Sequence, residues 1–403
     1  MTSQNGIYAA HPLRAARWAT FTMFVANGFG FGAWAAAIAP VKAMLSLSAA
    51  SLSYALLAMT IGGVLALQPS SFLIRSLGGT GRTTRLAGIA FAAALALPAL
   101  SPNLAVLIVA GALLGASMSL MDVAMNAHAS HVEKHWGAAI MSSFHAGFSL
   151  GGLAGTGFGA LLLWLGTPTP LLLMPTAAVV LVLAALAMPH LGPGDLHRGA
   201  GGAIFRLPER RLLALACILM FCLLIEGGMA DWSGIYLTTI GESTARAASG
   251  YGAFSAAMVS GRLFGDTVVR RLGRKRVVAF GTAMAAAGLL LATALPSFAA
   301  VVAGFALVGA GLSNVVPCVF STAAQRAASP ATGIAEVSTA GFGGLLSGPP
   351  LIGAVAAHWG MRSGIGVILL AALAALAISL RLKPAERTVS ATPPAPGPGT
   401  DAD

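Results

Sequence analysis

Five acidic residues interrupt long apolar runs in this 403-residue sequence: Asp122, Glu226, Asp231, Asp266 and Glu336. A carboxylate that is withdrawn from water is costly to keep charged, so it takes up a proton near neutral pH or pairs with a cation. A histidine titrates in the same pH range, and one lies in an apolar run at position 145. We therefore expect proton binding among these residues, and the candidates are Asp122, Glu226, Asp231, Glu336 and His145.

Glu226 has the position that best suits this chemistry. It follows Arg211 by fifteen residues, or about 22 Å of α-helix, close to the midplane of a bilayer that is about 40–45 Å thick with its headgroups. Gly227 and Gly228 come next and would permit a local break or the close approach of a solute. A protonated Glu that only bonds a neighbouring helix is the structural alternative. Asp231 fits a cavity rim or a periplasmic gate equally well, and with Trp232 it could also simply mark the membrane interface.

Other polar residues recur at helical spacing. Ser119, Asp122 and Asn126 lie at i, i+3 and i+7 and share one helix face, as do the polar residues at 142, 145 and 149. A polar stripe on an apolar helix predicts a water-filled cavity, although a hydrogen-bonded seam between helices has the same pattern. The substrate-cavity candidates are Asn27, Ser119, Asn126, Ser142, Ser149, Trp232, Asn314 and Thr339.

The composition shows that membrane helices must position these residues. The chain is 57% hydrophobic and 9% charged, with a mean hydropathy of +0.84, whereas soluble domains are about one quarter charged. Spans must be helical because lipid offers no partner for free backbone groups. Hydropathy predicts an all-α membrane protein with twelve spans, at 17–39, 51–74, 86–101, 104–126, 138–165, 170–189, 212–240, 250–269, 277–295, 298–320, 333–357 and 364–380.

Lys and Arg are distributed unevenly between alternate loops. Of the 23, we place 19 in one set of segments that includes both termini and three in the other, with Arg262 alone inside a span. Since positive loops stay on the cytoplasmic side, we predict a multi-pass protein of the bacterial inner membrane with both termini in the cytoplasm. This topology accounts for the net charge of +11, so we expect no nucleic-acid partner.

Short matches at a nearly constant offset indicate a duplication. AGF at 146–148 recurs at 340–342, and Gly115 and Ser119 match Gly309 and Ser313 at the same offset of 194. We predict two pseudo-symmetric bundles of six helices. The predicted units are an N-terminal bundle over 1–189, a cytoplasmic linker over 190–211, a C-terminal bundle over 212–383 and a disordered tail over 384–403.

The stretch SGRLFGDTVVRRLGRKR at 260–276 resembles the signature between the second and third helices of a half of the major facilitator superfamily. That resemblance covers nearly the whole chain and implies gradient-coupled transport by alternating access, with a midplane site between the halves. GASMSLMDVAMNAH and MSSFHAGFSLGGLAGTGFG look most like a bacterial branch that includes sugar permeases such as the L-fucose–proton symporter. This likeness implies a substrate or proton role for Asp122 and Asn126.

The resemblance also implies a cytoplasmic gate, in which Arg262 and Asp266, at i and i+4, form a charge pair or cap. Two departures from the family signature argue against a symmetric pair of cytoplasmic gates. Asp266 lies one turn farther from the Gly–Arg run than usual, and the corresponding stretch of the first half, GGVLALQPSSFLIRSLGG, contains no acid. The expected gate residues are Gly261, Arg262, Asp266, Arg271, Gly273 and Arg274.

Other chemistries find little support. The three cysteines lie in apolar runs without metal or disulfide spacing. His128, His131, Glu133 and His135 resemble a metal cluster, but we interpret them as the exit of the fourth helix into the cytoplasm. We find no nucleotide loop, HExxH motif or nucleophile elbow. We therefore expect no enzyme, no metal and no cofactor beyond a proton gradient as energy source.

The leading hypothesis is proton-coupled uptake of a small polar, sugar-like solute. Export of drugs or metabolites is the alternative, because the same fold can run in either direction. A membrane sensor or enzyme is a third possibility that the short loops disfavour. The expected partners are a small solute, protons and the lipid bilayer, and we expect a monomer.

Overall fold

A computed structural model describes residues 13–137, 140–192, 194, 207–327 and 330–382. Regular structure within these ranges is helical, with short 3₁₀ turns at Thr169–Leu171 and Met188–His190. The α-helices are α1 (Leu13–Met44), α2 (Ala49–Leu67), α3 (Ser70–Ser76), α4 (Thr80–Leu100), α5 (Leu104–Trp136), α6 (Met141–Trp164), α7 (Met174–Ala187), α8 (Leu213–Thr239), α9 (Thr244–Ala247), α10 (Ser249–Leu263), α11 (Gly265–Leu272), α12 (Arg274–Ala294), α13 (Phe298–Leu312), α14 (Val315–Arg326), α15 (Pro330–Trp359) and α16 (Met361–Arg381).

These helices make twelve crossings, which confirms the predicted all-α membrane fold. Nine crossings are single helices, and three are split into the pairs α2–α3, α10–α11 and α13–α14, while α9 is a single turn before α10. Eleven helical segments in the described part of the chain are long and apolar enough to span a membrane. The remaining crossing is α10–α11, which is interrupted at Phe264.

Some predicted spans differ from the observed helices. The spans predicted at 51–74, 250–269 and 298–320 are each two helices, and the first breaks at Pro69, whose ring nitrogen cannot donate a helical hydrogen bond. The helix predicted to end at residue 126 continues to Trp136. The tail predicted over 384–403 and most of the linker lie outside the described residues.

Glycine allows the helices within each half to approach closely. Added Cβ atoms at Gly151 and Gly155 of α6 would meet the carbonyl oxygens of Val25 and Phe29 in α1, closer than ordinary contact. Glycines recur every fourth residue in α6, at 147, 151, 155 and 159, and this spacing lets α6 pack closely against α1. In the second half, Gly288 of α12 is packed against α13 in the same way.

The two halves contact each other mainly on one side of the bundle. Short connections make successive crossings antiparallel, so α1 begins and α16 ends on the same side, which we call the terminal side; the opposite side is the distal side. On the distal side, the Gly353 backbone of α15 lies against Ser53 of α2. The Phe31 ring of α1 also meets Tyr251 of α10, with ring centroids 5.9 Å apart.

Candidate functional site

Arg262 of α10 links the two halves near the centre of the bundle. Its Nη1 donates to Ser149 Oγ of α6 and its Nε to the Ser313 carbonyl, both at 3.4 Å. The side chain is exposed, although Arg262 lies ten residues, or about 15 Å of helix, before the end of α11 at Leu272. As a gate residue in the predicted span 250–269, Arg262 was expected near the cytoplasmic end of that span. This expectation is wrong, because α11 extends the crossing to Leu272.

Glu226 lies at the middle of α8, thirteen residues from each end of the helix, or about 20 Å. Its Oε1 is shielded and has no hydrogen-bond partner among the described residues. Arg262 and Tyr251, both of α10, are close enough to interact with its charge. The local break that Gly227 and Gly228 would permit does not occur, since α8 is continuous through both.

His145 and Ser149 of α6 face α10 from the first half. The exposed His145 ring packs edge-on against Phe24, with ring centroids 5.4 Å apart. Arg262 interacts electrostatically with this histidine. The structure therefore brings His145, Ser149, Glu226 and Arg262 into one region between the halves. The side chain of Ser142, the remaining candidate of this stripe, lies outside the described residues.

Asp122 and Asn126 lie on the interior face of α5. The exposed Leu113 precedes Asp122 by nine residues, about two and a half turns, so their side chains point in opposite directions. Asn126 Nδ2 donates to the Asp122 carbonyl at 2.8 Å and to its Oδ1 at 3.1 Å. Asp122 is exposed, whereas Ser119, the third member of the predicted stripe, packs against Gly63 of α2.

Two cavity candidates are buried in this conformation. Asn27 is inaccessible and donates to the Met118 carbonyl of α5 at 3.4 Å. Trp232 is also inaccessible, and its Nε1 has no hydrogen-bond partner in the described part of the chain. Asp231, beside it, is half-buried and within electrostatic range of Tyr251. Asn27 and Trp232 are therefore packed between helices and do not line a water-accessible cavity in this conformation.

Glu336 of α15 holds the chain that leads into α8. Its carboxylate is 4% exposed and accepts the backbone N–H of Glu209 at 3.0 Å. Thr339, one turn later, donates to the Ala335 carbonyl of its own helix at 3.0 Å. This geometry gives Glu336 a structural contact that sequence spacing alone did not indicate.

The breaks in two crossings meet at Asn314, a predicted cavity residue, and the sequence did not predict this contact. Asn314 Nδ2, between α13 and α14, donates to the Gly261 carbonyl of α10 at 2.9 Å. A Cβ at Gly265 would collide with Asn314 Oδ1, so this glycine permits the close approach. Side chains thus satisfy the carbonyls that helix breaks release, as broken membrane helices require. The sequence signal for such a break was the span at 250–269, which contains Arg262 together with Gly261 and Gly265.

The remaining gate residues lie on the terminal side. Gly273 has a positive φ of 77° where α12 begins, which suits glycine. Arg274 Nη1 donates to Gln325 Oε1 of α14 at 2.7 Å, and Arg271 is exposed. Phe264 interrupts the helix between Arg262 and Asp266, so the expected spacing along one continuous helix is absent; the Asp266 side chain lies outside the described residues.

The histidine-rich end of α5, which ends at Trp136 with Lys134 and His135 exposed, also contains packed residues. His128 is fully buried, with Nδ1 3.1 Å from Thr80 Oγ1. Glu133 Oε2 accepts the backbone N–H groups of Ile140 and Met141, each at 2.6 Å, and so caps the start of α6. Within the described residues, no group of three or more His, Cys, Asp and Glu side chains is arranged to hold a metal ion.

A twelve-crossing bundle in two halves, with polar groups between them near mid-depth, is the architecture of a secondary membrane transporter. The chain belongs to the Major Facilitator Superfamily, whose sequence model matches residues 20–344. It therefore is a multi-pass membrane transporter for a small solute.

Relatives and solved structures agree with this assignment. The chain is 36% identical over 366 residues to an uncharacterised MFS-type transporter of Yersinia pestis, covering 90% of this chain and 94% of that protein. It is 34% identical over 343 residues to membrane protein MosC of Rhizobium meliloti, with 84% and 83% covered. The nucleoside transporter NupG has the same fold, with a TM-score of 0.71, 13% identity and 91% and 97% covered. A bacterial homologue of the lysosomal transporter Spinster, inward-facing and occupied, gives a TM-score of 0.72 at 13% identity, with 92% and 96% covered.

Proposed function

We propose that this transporter couples proton entry to the uptake of a small polar, sugar-like solute across the bacterial inner membrane. The observation that carries the proposal is the meeting of Glu226 and Arg262 from one half with His145 and Ser149 from the other. A group of residues that contacts both halves changes when the halves separate, so it can link solute binding to alternating access. The proton gradient supplies the energy, and a single chain provides the complete site.

The distribution of Lys and Arg supports the direction in which the site opens. That distribution favours a cytoplasmic position for the terminal side, and the halves meet on the distal side. In this orientation the structure corresponds to an inward-open state. Asp122 and His145 would then be accessible to cytoplasmic water, and Glu226 would release its proton toward that side.

A test of Glu226 uses the purified chain in proteoliposomes with a pH-sensitive dye inside. A panel of monosaccharides, polyols and sugar acids is added outside under an imposed pH gradient, and internal acidification identifies transported solutes. Glu226→Gln should abolish solute-dependent proton entry while solute exchange at equal pH continues, since glutamine keeps the shape but carries no proton. The matched control is Glu242→Gln, which removes an acid that pairs with Arg246 at 2.8 Å on the distal side. Proton-coupled uptake that survives Glu226→Gln would contradict the assignment.

Export of amphipathic compounds is the second candidate, and the aromatic side chains between the halves favour it. The Phe31 ring lies 6.4 Å from Phe148 and 5.9 Å from Tyr251, and Tyr251 lies 5.8 Å from Phe254 between ring centroids. These rings would line an exit path when the distal side opens. Hydrophobic dyes that leave wild-type vesicles faster than Glu226→Gln vesicles, with no sugar-like solute taken up, would select export over uptake.

A further inference from the structure

The charge of Arg262 has no counter-ion among the described residues. Among the described residues, Arg211 pairs with Glu209 and Arg246 with Glu242, and no described acidic side chain forms an ion pair with Arg262. An unpaired charge at mid-depth of a membrane protein is costly, and such residues usually line a water-filled path and bind a ligand or a partner charge. The exposed state of Arg262 agrees with a path open to water.

The contacts of Arg262 near the helix break use only part of the hydrogen-bonding capacity of its guanidinium. Nε serves the carbonyl of Ser313 and Nη1 the hydroxyl of Ser149, each at 3.4 Å, which is long for a hydrogen bond. Neutral partners at that distance do not balance a full positive charge. A guanidinium has five N–H donors in a fixed fork, so its Nη2 side remains available to a planar oxyanion, which matches that fork with two parallel hydrogen bonds.

The groups around Arg262 differ in what they can offer a solute. Ser149 and His145 supply hydroxyl and imidazole groups from the opposite half, and these suit the hydroxyls of a sugar-like molecule. Glu226 is within electrostatic range but is not in an ion pair with Arg262. A solute carboxylate next to Arg262 would be repelled by a charged Glu226 and tolerated by a protonated one.

We infer that the transported solute is a sugar acid whose carboxylate binds Arg262 and whose hydroxyls face α6. This inference rests on the proposed function and narrows its solute class. It also gives a reason for coupling, because protonation of Glu226 removes the repulsion and the anion binds to the protonated site. The anion and the proton then cross together without net charge movement.

The test measures ligand binding to the purified full-length chain through its thermal stability, using D-glucuronate and D-gluconate against D-glucose and sorbitol. A ligand that binds the folded state raises the melting temperature. The acidic members should stabilise the wild type, and the neutral members should not. Arg262→Gln should weaken acid binding about 30-fold or more, the effect of removing one partner of a hydrogen-bonded charge pair that the bound solute shields from water. Arg262→Lys should keep part of the affinity, because it keeps the charge but loses the fork.

Arg270→Gln is the matched control, since it removes an exposed arginine of the same crossing that donates to Thr267 Oγ1 at 2.9 Å and lies outside the site. Equal stabilisation by neutral and acidic sugars, no stabilisation by either acid, or unchanged acid binding in both Arg262 variants would overturn the inference. Proton-coupled uptake of glucose without glucuronate would overturn it and leave the proposed function intact. Conversely, glucuronate that binds through Arg262 but enters Glu226→Gln vesicles with protons would refute the coupling role of Glu226 alone.

Discussion

At the scale of single residues, glycines allow the helices to pack closely, and polar side chains between the halves form the candidate site. Gly155 of α6 lies against the Phe29 carbonyl of α1, with no room for a Cβ, whereas Gly157, two residues later, is exposed and has nothing within 4 Å of an added Cβ. Close backbone contact maximises dispersion between helices, which matters in lipid because apolar side chains gain little by leaving it. The four-residue spacing of these glycines is visible in the sequence and corresponds to the face of α6 that packs against α1.

We predict that Gly155→Ala destabilises the protein by about 1–3 kcal/mol, the usual effect of adding a methyl group to a fully packed contact. Gly157→Ala on the same helix should be neutral or slightly stabilising, by up to ~1 kcal/mol, because alanine favours the helix. Unfolding of both variants and the wild type in detergent, followed by circular dichroism, measures the difference. Equal stabilities for the two alanine variants would show that α1 and α6 are not packed as described.

At the scale of elements, the paired breaks of α10–α11 and α13–α14 form a joint that one side chain holds together. Asn314 Nδ2 donates to the Gly261 carbonyl at 2.9 Å and to Ser313 Oγ at 3.0 Å. The Gly261 carbonyl can only accept a hydrogen bond, so an isosteric carboxylate at position 314 would place oxygen against oxygen there. The element therefore depends on amide chemistry at this position, not on size.

We predict that Asn314→Asp destabilises the fold by about 1–3 kcal/mol, the cost of leaving a buried carbonyl without its donor. The matched control is Asn103→Asp at the start of α5, where Asn103 Oδ1 accepts the Val106 N–H at 3.0 Å. Aspartate caps a helix start as well as asparagine and suits its dipole, so the control should be neutral. Thermal unfolding in detergent compares the two variants, and equal losses would refute the donor role of Asn314.

The elements also show what the sequence could predict. Hydropathy located every crossing, because each must bury about twenty apolar residues in lipid. It missed the break at Asn314 and the extension of α5 beyond residue 126, because both depend on partners far away in sequence. Thr80 Oγ1 lies 3.1 Å from His128 Nδ1, and the Glu133 carboxylate caps α6, so two polar residues near the end of α5 make packed contacts that the sequence did not predict.

In the candidate site, too, the features that depend on one helix were predictable from the sequence, and those that depend on distant helices were not. The central depth of Glu226 was predictable because depth depends only on helical rise. The side on which Asp122 is exposed agrees with the predicted stripe, which helical periodicity alone defines. The burial of Trp232 and the meeting of Arg262 with Ser149 were not predictable, because they depend on how two distant helices pack.

At the scale of the whole molecule, transport requires the distal contacts between the halves to open. Gly152 of α6 lies on this contact surface, and an added Cβ there would be 3.9 Å from Ser255 Oγ of α10 without meeting any closer atom than 3.7 Å. Cysteines at these two positions would therefore fit without strain, and their sulfur atoms would lie within reach of each other. The pair reports directly on the separation of the halves.

We predict that Gly152→Cys with Ser255→Cys, in a chain from which Cys217, Cys222 and Cys318 have been removed, forms a disulfide under mild oxidation. The cross-linked protein should bind solute from the terminal side but transport none, because the distal side cannot open, and reductant should restore transport. Each single-cysteine variant is the control and should transport under both conditions. Uptake by fully cross-linked protein, measured in proteoliposomes, would show that the halves need not separate between α6 and α10 and would refute this distal closure as the moving barrier.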